Sequence, residues 1–430
     1  MDHKHTRIQD DPETATTSST QNDEPNGEEQ PLLTTQDKDP DLITLNGPDD
    51  PLNPMNLPPW RKWFCASILG AMTFAATFSS SVFTAATRAT AQEFEVAPET
   101  MALATSLYVF GFATGPILMG PASELHGRKI PFFVGYVGFI ITQIPVGLAT
   151  NVETILIFRF LGGVASSGSP AIVGGYLADF LPPVERGVAV AIFAATTLIG
   201  PSAGAIIGGV VVQSSLGWRW TAWISMIMGI LFGAIGFVVL PETYVPVLLK
   251  RKAWDLRYDT RNWALHSKLD ERPVDIKDFV VRYLSRPFIM LCLEPILLAM
   301  TLYISFTFGM VYLLFVAYPI SFVQQRGMDP VTGGLPLIAI IIGIIIGAFY
   351  VAHYTLTTIK QKFLKEGKVA PEDRLPPMIV GAGLLAIVFQ KVMWASNLLG
   401  LFAVLFFPVP ILFYYYGAKI RSFSKYVPRY

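Results

Sequence analysis

Long apolar runs follow one another through most of this 430-residue chain, and they constrain its fold more than any other feature. Most have about 20 residues, the length that a helix needs to cross the hydrocarbon core of a bilayer. A segment inside a bilayer must satisfy its own backbone hydrogen bonds, so each run is predicted to be a helix. We place ten runs, near Trp63–Ala85, Ala102–Gly120, Ile130–Leu148, Thr154–Phe180, Val188–Gln213, Thr221–Leu240, Phe288–Val311, Leu335–Ala352, Pro376–Trp394 and Leu398–Gly417.

The charges lie between the runs and predict how the chain is oriented. Only 15% of the residues are charged, against about a quarter in soluble domains. The loops after every second run are basic, around Arg128, Arg186, 250–286, 360–374 and 419–429. By the positive-inside rule both termini are predicted to be cytoplasmic, which requires an even number of spans. The net charge of zero argues against nucleic acid as a partner.

The same features divide the chain into five parts. Residues 1–58 are rich in Asp, Glu, Thr and Pro, and they predict a disordered acidic cytoplasmic tail. Residues 59–241 form an N-terminal bundle of six helices, and residues 242–287 form a charged cytoplasmic loop. Residues 288–417 have room for about four helices, and 418–430 form a basic tail. The predicted fold class is therefore an all-α polytopic membrane protein.

A stripe of glycines marks the fifth run. Gly200, Gly204 and Gly208 recur every fourth residue, and Gly209 follows directly. On a helix the three share one face, where a neighbouring backbone can approach closely. Pro201 removes one backbone donor and kinks the helix. The stripe indicates a helix that packs and hinges, although such spacing also serves packing alone in many membrane bundles.

Two ionisable residues lie inside apolar runs and are candidates for a transport pathway. Arg159 would cost about 2.5–3.5 kcal/mol facing lipid, so it must face protein or a water-filled cavity. Glu294 is the only carboxylate well within an apolar run of the second half, and a membrane carboxyl group can carry a proton. A structural role stays open for both. Arg159 can snorkel or pair with backbone, and Glu294 can be a hydrogen-bonded residue at a helix boundary.

Polar and aromatic residues of the runs predict a hydrophobic, adaptable cavity rather than a catalytic site. Such a cavity suits bulky lipophilic compounds better than sugars or ions. No motif indicates a nucleophile, a metal cage or a phosphate loop, so neither an enzyme nor a cofactor is predicted. Individually, most of these residues are more typical of positions that face lipid or pack in the core. The candidates are Ser79, Ser80, Ser81, Ser166, Ser167, Ser169, Tyr108, Phe110, Tyr303, Phe306, Phe308 and Tyr312.

The loop after the second run reads Gly120-Pro-Ala-Ser-Glu124-Leu-His-Gly127-Arg128-Lys129. Its glycines and proline predict a tight turn, and Glu124 and Arg128 lie one helical turn apart with opposite charges. At a membrane boundary such a pair can change partners between two conformations. The plainer interpretation is an ordinary basic loop.

Taken together, the motifs resemble those of the major facilitator superfamily, in the form typical of fungal drug:proton antiporters with twelve spans. The resemblance extends from about residue 60 to residue 430. It implies a major facilitator-type bundle that exports small lipophilic or cationic compounds across the plasma membrane in exchange for protons. The motifs that carry it are the loop 120–129, Arg159-Phe-Leu-Gly-Gly163, Gly200–Gly209 with Trp218-Arg219-Trp220, Pro241-Glu242-Thr243-Tyr244, Glu294-Pro295 and Pro371–Pro377.

The resemblance also implies roles for single residues. Arg159, Ser166 and Glu294 would serve proton coupling or line the substrate pathway. A conformational charge relay at the cytoplasmic face would consist of Glu124, Arg128 and Asp179. The helix of the antiporter motif would depend on Gly200, Pro201, Gly204, Gly208 and Gly209.

The chain departs from this family pattern in three places. Ala205 stands where a second Gly-Pro pair is usual, and Gly162 replaces a polar residue. The larger departure is in the second half, where residues 381–400 run from the start of helix nine into the approach to the last helix. Two helices are thus predicted to be missing, and the chain is expected to transport poorly or to need a partner. The alternative is a non-transporting relative acting as a sensor, a scaffold or a product without function. The substrate and the oligomeric state stay open.

Overall fold

The computed structural model describes residues 39–271, 285–318, 321–322, 325–328, 333–367 and 369–392, together with 410, 411, 413 and 415. This part of the chain is helical and contains no β-strand, which confirms the predicted all-α class. The helices are Pro59–Val82, Thr87–Glu93, Pro98–Thr114, Pro116–His126, Lys129–Gly147, Val152–Ser166, Gly168–Phe180, Pro183–Gln213, Trp220–Val239, Val245–Thr260, Arg286–Leu293, Pro295–Tyr318, Pro336–Tyr354, Lys360–Glu366 and Pro376–Val392.

Eight segments of the described chain are long and apolar enough to cross a membrane. They correspond to the first eight predicted runs. The ninth run forms the helix Pro376–Val392, while nearly all of the tenth run and residues 393–400 lie outside the described residues. We number the segments span 1 to span 8: Pro59–Glu93, Pro98–His126, Lys129–Gly147, Val152–Phe180, Pro183–Gln213, Trp220–Val239, Pro295–Phe315 and Pro336–Glu366.

The glycine stripe of span 5 lies directly against span 1. A Cβ atom on Gly204 would lie 2.5 Å from the carbonyl oxygen of Phe78, and one on Gly208 would collide with the carbonyl of Val82. Span 5 continues as one helix through Pro201, whose carbonyl accepts a hydrogen bond of 2.5 Å from Ser81 Oγ. The stripe therefore lets the two backbones approach more closely than side chains would allow. Its role as a hinge stays a prediction.

Spans 2 and 4 approach each other in the same way. A Cβ atom on Gly163 would lie 3.0 Å from the backbone nitrogen of Phe112, and one on Gly111 would lie 2.8 Å from that of Val164. This close approach brings Tyr108 of span 2 alongside Arg159 of span 4, and it thereby builds the centre of the N-terminal bundle.

Residues 43–58, which we predicted to belong to a disordered tail, make defined contacts. Ile43 N donates to the carbonyl of His266 in the central loop at 2.9 Å. Asp50 is buried, accepts from Asn46 N at 2.8 Å and pairs with Lys252 at 3.6 Å. This strap, residues 43–58, therefore packs on the helix Val245–Thr260 and the loop after it. Residues 1–38 lie outside the described part.

Candidate functional site

Arg159 is almost fully buried in the centre of the N-terminal bundle, with 2% of its surface exposed. It lies in the helix Val152–Ser166, which begins where the Asn151 side chain accepts a hydrogen bond from Thr154 N. It faces spans 1 and 2. This position matches the expectation that a cation in an apolar run faces protein.

The guanidinium group has fewer partners than its donors require. Its Nη1 donates to the carbonyl of Ser79 at 2.7 Å, whereas Nε and Nη2 are buried without a hydrogen-bond partner. The rings of Phe83 and Tyr108 lie 4.7 and 4.9 Å from its central carbon. Such cation–π contacts contribute about 2 kcal/mol when desolvated. A buried charged group normally has all of its hydrogen bonds formed. The guanidinium group of Arg159 can therefore donate to a further acceptor.

Polar side chains surround this arginine. The hydroxyl of Tyr108 donates to the carbonyl of Ala76 at 2.9 Å, and Ser79 Oγ lies 3.4 Å from Gln143 Oε1. Ser166 is buried, and its hydroxyl donates to the carbonyl of Gly163 at 3.0 Å. Of the predicted polar and aromatic candidates, Ser79 and Tyr108 contact Arg159 through the Ser79 carbonyl and the Tyr108 ring, and Ser166 interacts with Tyr108. Gln143 was not predicted, because a single glutamine in an apolar run gives no distinctive pattern.

A cavity of about 500 Å³ lies between spans 1, 2 and 7. Tyr312 of span 7 lines it, and the Tyr312 and Ser80 hydroxyls share a hydrogen bond of 3.0 Å across the two halves of the chain. Ser80 is the neighbour of Ser79, whose carbonyl holds Arg159. The cavity is therefore connected to the arginine through two adjacent serines. Its walls carry hydroxyls and phenyl rings, contributed by Thr84, Thr87, Thr105, Ser106, Phe110 and Phe315.

A network of charges closes one end of the bundle, which we call the Arg128 end. The Arg128 guanidinium pairs with Asp179 at 3.2 Å and donates to Ser123 Oγ at 3.0 Å. It also lies 4.7 Å from the ring centre of Tyr244. Asp179 accepts a second hydrogen bond from Thr243 Oγ1 at 3.1 Å. Two of the three predicted relay residues are thus in contact.

The third predicted relay residue, Glu124, is exposed. Among the described residues no hydrogen bond or ion pair joins it to Arg128 or Asp179. Glu242 supplies a second carboxylate to this end instead. It accepts hydrogen bonds from the backbone nitrogens of Arg128 at 2.8 Å and Lys129 at 3.1 Å, where span 3 begins.

The turn before span 3 depends on this carboxylate. Gly127 has a φ of 87°, which a glycine adopts without strain. A Cβ atom there would lie 2.5 Å from Glu242 Oε2. Glu242 also accepts from the backbone nitrogens of Thr243 and Tyr244, both at 3.0 Å. The loop 120–129 and the end of span 6 are therefore joined by one side chain.

Glu294 lies at a break between two helices, Arg286–Leu293 and Pro295–Tyr318. Its backbone is extended, with φ −104° and ψ 101°, and the residue is buried with 4% exposed. This position agrees with the interpretation of Glu294 as a residue at a helix boundary. The role of Glu294 as a proton carrier stays a prediction. Glu294 directly precedes span 7, whereas Tyr312 lies near the other end of that span.

The opposite end of the bundle is held by a second ion pair. Glu93 accepts from Trp218 Nε1 at 2.6 Å and pairs with Arg219 at 2.7 Å. Arg219 also donates to the carbonyl of Ala149 at 3.1 Å. The end of span 1, the loop before span 6 and the end of span 3 are thus fixed together.

A second cavity of about 420 Å³ lies between spans 5 and 8. Gly187 and Ala191 of span 5 face Val351 and Thr355 of span 8 across it. Span 8 contains a single π-helical turn here, Thr355–Ile359. The two halves of the chain therefore meet along spans 5 and 8, and also at spans 1 and 7.

The described chain thus combines a helix with a glycine stripe and an internal proline, a buried arginine and a charged turn at one end of six packed spans. The family model described as Major Facilitator Superfamily matches residues 68–425. The chain belongs to the major facilitator superfamily. It is therefore a multi-pass membrane protein of a family of transporters.

Curated relatives within the superfamily come from fungi. The chain is 61% identical over 279 residues to the MFS-type transporter tazK of Aspergillus terreus, covering 65% of this chain and 78% of that protein. It is 41% identical to the citrinin biosynthesis cluster MFS transporter mrr1 of Monascus ruber, covering 95% of each chain. It is also 41% identical to the ascochitine biosynthesis cluster MFS transporter of Didymella fabae, covering 91% and 90%.

The alignment with mrr1 is longer than this chain. It extends over 482 positions, which is 52 more than this chain possesses. The relative therefore contains residues that have no counterpart here. Among solved structures, the proton:xylose symporter XylE matches with a TM-score of 0.54 at 16% identity, covering 83% of this chain and 80% of that one. This match shows the fold alone.

Proposed function

We propose that this superfamily member exports a small lipophilic secondary metabolite across the plasma membrane, in exchange for protons. The names of mrr1 and the Didymella fabae relative, which place those proteins in biosynthesis clusters, support the class of compound. In this proposal the Arg128 end faces the cytoplasm, and protons and a small molecule are the partners. The basic loops of the sequence support that orientation.

The observation that carries the proposal is the buried Arg159 with two unpartnered nitrogens. A structural arginine would be fully hydrogen-bonded, since each unmet buried donor costs about 1–3 kcal/mol. Donors left open in the resting protein are suited to a partner that arrives during transport. Transporters of this architecture bind substrates near the membrane midplane between two bundles, which move around the site.

Proton coupling in this proposal involves Glu294, a buried carboxylic acid in the second half of the chain. In this proposal the pair of Arg128 and Asp179 forms in one conformation and breaks in the other. Gly200, Pro201, Gly204 and Gly208 would let span 5 flex against span 1. Glu124 is exposed here, and it would join the network only in another conformation.

A second candidate function is favoured by the alignment lengths. Relatives contain at least 52 positions that this chain lacks, and a bundle without two helices would expose surfaces that are otherwise covered. In that case the chain would not transport, and it would act as a sensor, a scaffold or a product without function.

Efflux from cells separates these two functions. The full chain would be expressed in a fungal host that lacks its own efflux pumps, and loss of a preloaded lipophilic fluorescent dye would be followed at outside pH 5 and 7.5. We expect faster efflux at pH 5. Arg159→Ala should abolish efflux with surface abundance unchanged, and Glu294→Gln should remove the dependence on pH.

Arg88→Gln serves as the matched control, because it removes an exposed arginine near the end of span 1. It should leave efflux unchanged. Loss of efflux in Arg159→Ala only together with loss of the protein would indicate a structural role for Arg159. No efflux from the intact chain at the cell surface would favour the non-transporting relative.

A further inference from the structure

The charges inside the N-terminal bundle indicate what kind of compound it would accept. We infer, on the basis of the proposed export function, that the substrate is an organic acid: an aromatic body carrying an anionic group, rather than an organic cation. The anionic group would bind the open nitrogens of Arg159, and the aromatic body would occupy the cavity between spans 1, 2 and 7. This narrows the wider class of lipophilic or cationic compounds that the sequence motifs imply.

The positive charge of Arg159 favours an anionic substrate. Its Nε and Nη2 lack acceptors, and no described carboxylate forms an ion pair with it. The carbonyl of Ser79 and the faces of Phe83 and Tyr108 are its polar and aromatic partners. These partners leave a full positive charge in a region of low dielectric constant, where it attracts anions and repels cations strongly.

The positions of the negative charges in the spans also favour an anionic substrate. Within the eight described spans, every Asp and Glu lies within three residues of a span end. Arg159 follows the first residue of span 4 by seven positions, or roughly 10 Å along a helix. The charge that a substrate meets inside the bundle is therefore positive, and its negative counterpart must come with the substrate.

The chemistry of the cavity between spans 1, 2 and 7 favours an aromatic body. Thr84 and Val109 of its wall are the chain neighbours of Phe83 and Tyr108, which cover the guanidinium. The wall also contains Thr105, whose hydroxyl oxygen is buried without a hydrogen-bond partner. Phenyl rings suit a flat aromatic body and hydroxyls suit its oxygen substituents. With a volume of about 500 Å³, the cavity is large enough for a compound of several fused rings.

Transport of a matched pair of dyes by the purified full chain would test this assignment. Vesicles of phosphatidylcholine containing the protein would be loaded with the sulfonate or the trimethylammonium derivative of one naphthalene skeleton, neither of which crosses lipid unaided. We expect the sulfonate to leave at least tenfold faster than the trimethylammonium compound. An inside-negative potential of about 100 mV should accelerate its exit, since it favours outward movement of a monovalent anion by roughly 50-fold at equilibrium.

Three variants complete the test. Arg159→Gln should slow sulfonate exit at least tenfold, Arg159→Lys should retain part of it, and Arg88→Gln should not change it. Equal or faster exit of the trimethylammonium compound from the wild-type chain would overturn the assignment while leaving export itself established. So would an equal effect of Arg159→Gln on both dyes. If neither dye leaves although the protein is inserted and folded, the proposed export fails, and this assignment fails with it.

Discussion

At the scale of single residues, the Glu242 carboxylate accepts hydrogen bonds from four backbone nitrogens, two of them at the start of span 3. A negative charge at the N-terminus of a helix is also favoured by the helix dipole. The loop 120–129 thus has its conformation fixed by a residue more than a hundred positions away. Arg128 can then meet Asp179 because the turn that carries Arg128 is already fixed.

Replacement of Glu242 by Gln should loosen this end of the bundle. Gln has one acceptor oxygen, and its amide donors would face backbone N–H groups, so buried hydrogen bonds would be lost. We expect a destabilisation of about 1–3 kcal/mol, measured as a lower thermal midpoint of the purified protein in detergent. Glu124→Gln is the matched control, because Glu124 is exposed, and it should change the midpoint little. Equal midpoints for the two variants would contradict this role of Glu242.

At the scale of helices, the packing of spans 1 and 5 depends on the glycine stripe. A Cβ atom at position 204 would come within 2.5 Å of the backbone of span 1, and two packed backbones cannot yield as a flexible side chain can. The helix continues through Pro201, and the Pro201 carbonyl accepts a hydrogen bond from Ser81 Oγ. The stripe is therefore a contact surface along its whole length.

Gly204→Ala should force the two spans apart. Overpacking of this kind costs typically 1–3 kcal/mol, so we expect a lower thermal midpoint and reduced surface expression. Gly174→Ala in span 4 is the control, because a Cβ atom there has no neighbour within 4 Å. That control should be neutral or stabilising by up to about 1 kcal/mol, since alanine favours helices. A neutral Gly204→Ala would show that the stripe tolerates a wider separation.

The strap, residues 43–58, and the loop 261–271 should detach from the helix Val245–Thr260 in acid. Backbone hydrogen bonds from Asn46 and Leu52 lower the pKa of Asp50. The pKa of Asp270 is also lowered: partial burial opposes the shift, but hydrogen bonds from Ser267 and Lys250 outweigh it. A carboxylate with a lowered pKa stabilises the folded state above its unfolded pKa near 4, and this contribution is lost as pH falls below that value.

Hydrogen exchange of the two segments would measure this detachment. We expect protection at pH 6 and faster opening near pH 3, after correction for intrinsic exchange rates. Asp50→Asn should open the strap already at pH 6, while Asp41→Asn, outside the strap, should not. Unchanged protection of the strap in Asp50→Asn would argue that its apolar contacts hold it instead.

At the scale of the whole molecule, helical spans were predictable because a bilayer admits few structures and because apolar runs of this length are distinctive. Arg159 and the glycine stripe were predictable because a cation in an apolar run and a four-residue spacing stand out locally. Glu242 was not identified as a partner of the loop 120–129, because a carboxylate that directly follows a membrane span is usually a solvated residue. The partners of Arg159 depend on how spans 1, 2 and 4 pack, and local sequence patterns do not predict that packing.

Transport by the whole molecule depends on its second half, where the sequence predicts that two helices are missing. Two bundles that move around a central site each need enough helices to keep that site closed to lipid. The described chain still joins its halves at spans 1 and 7 and at spans 5 and 8. We therefore expect a chain that retains export but at a lower rate than a complete relative, or one that regains the rate with a partner.

Initial export rates in vesicles test the central claim most directly. The purified 430-residue chain would be compared with mrr1, a relative whose alignment is longer than this chain, at equal amounts of inserted protein and with the same preloaded acidic dye. The account predicts export above that of protein-free vesicles, slower than the relative and abolished by Arg159→Ala. Export no faster than from protein-free vesicles, with the relative active and this chain folded and inserted, would contradict it.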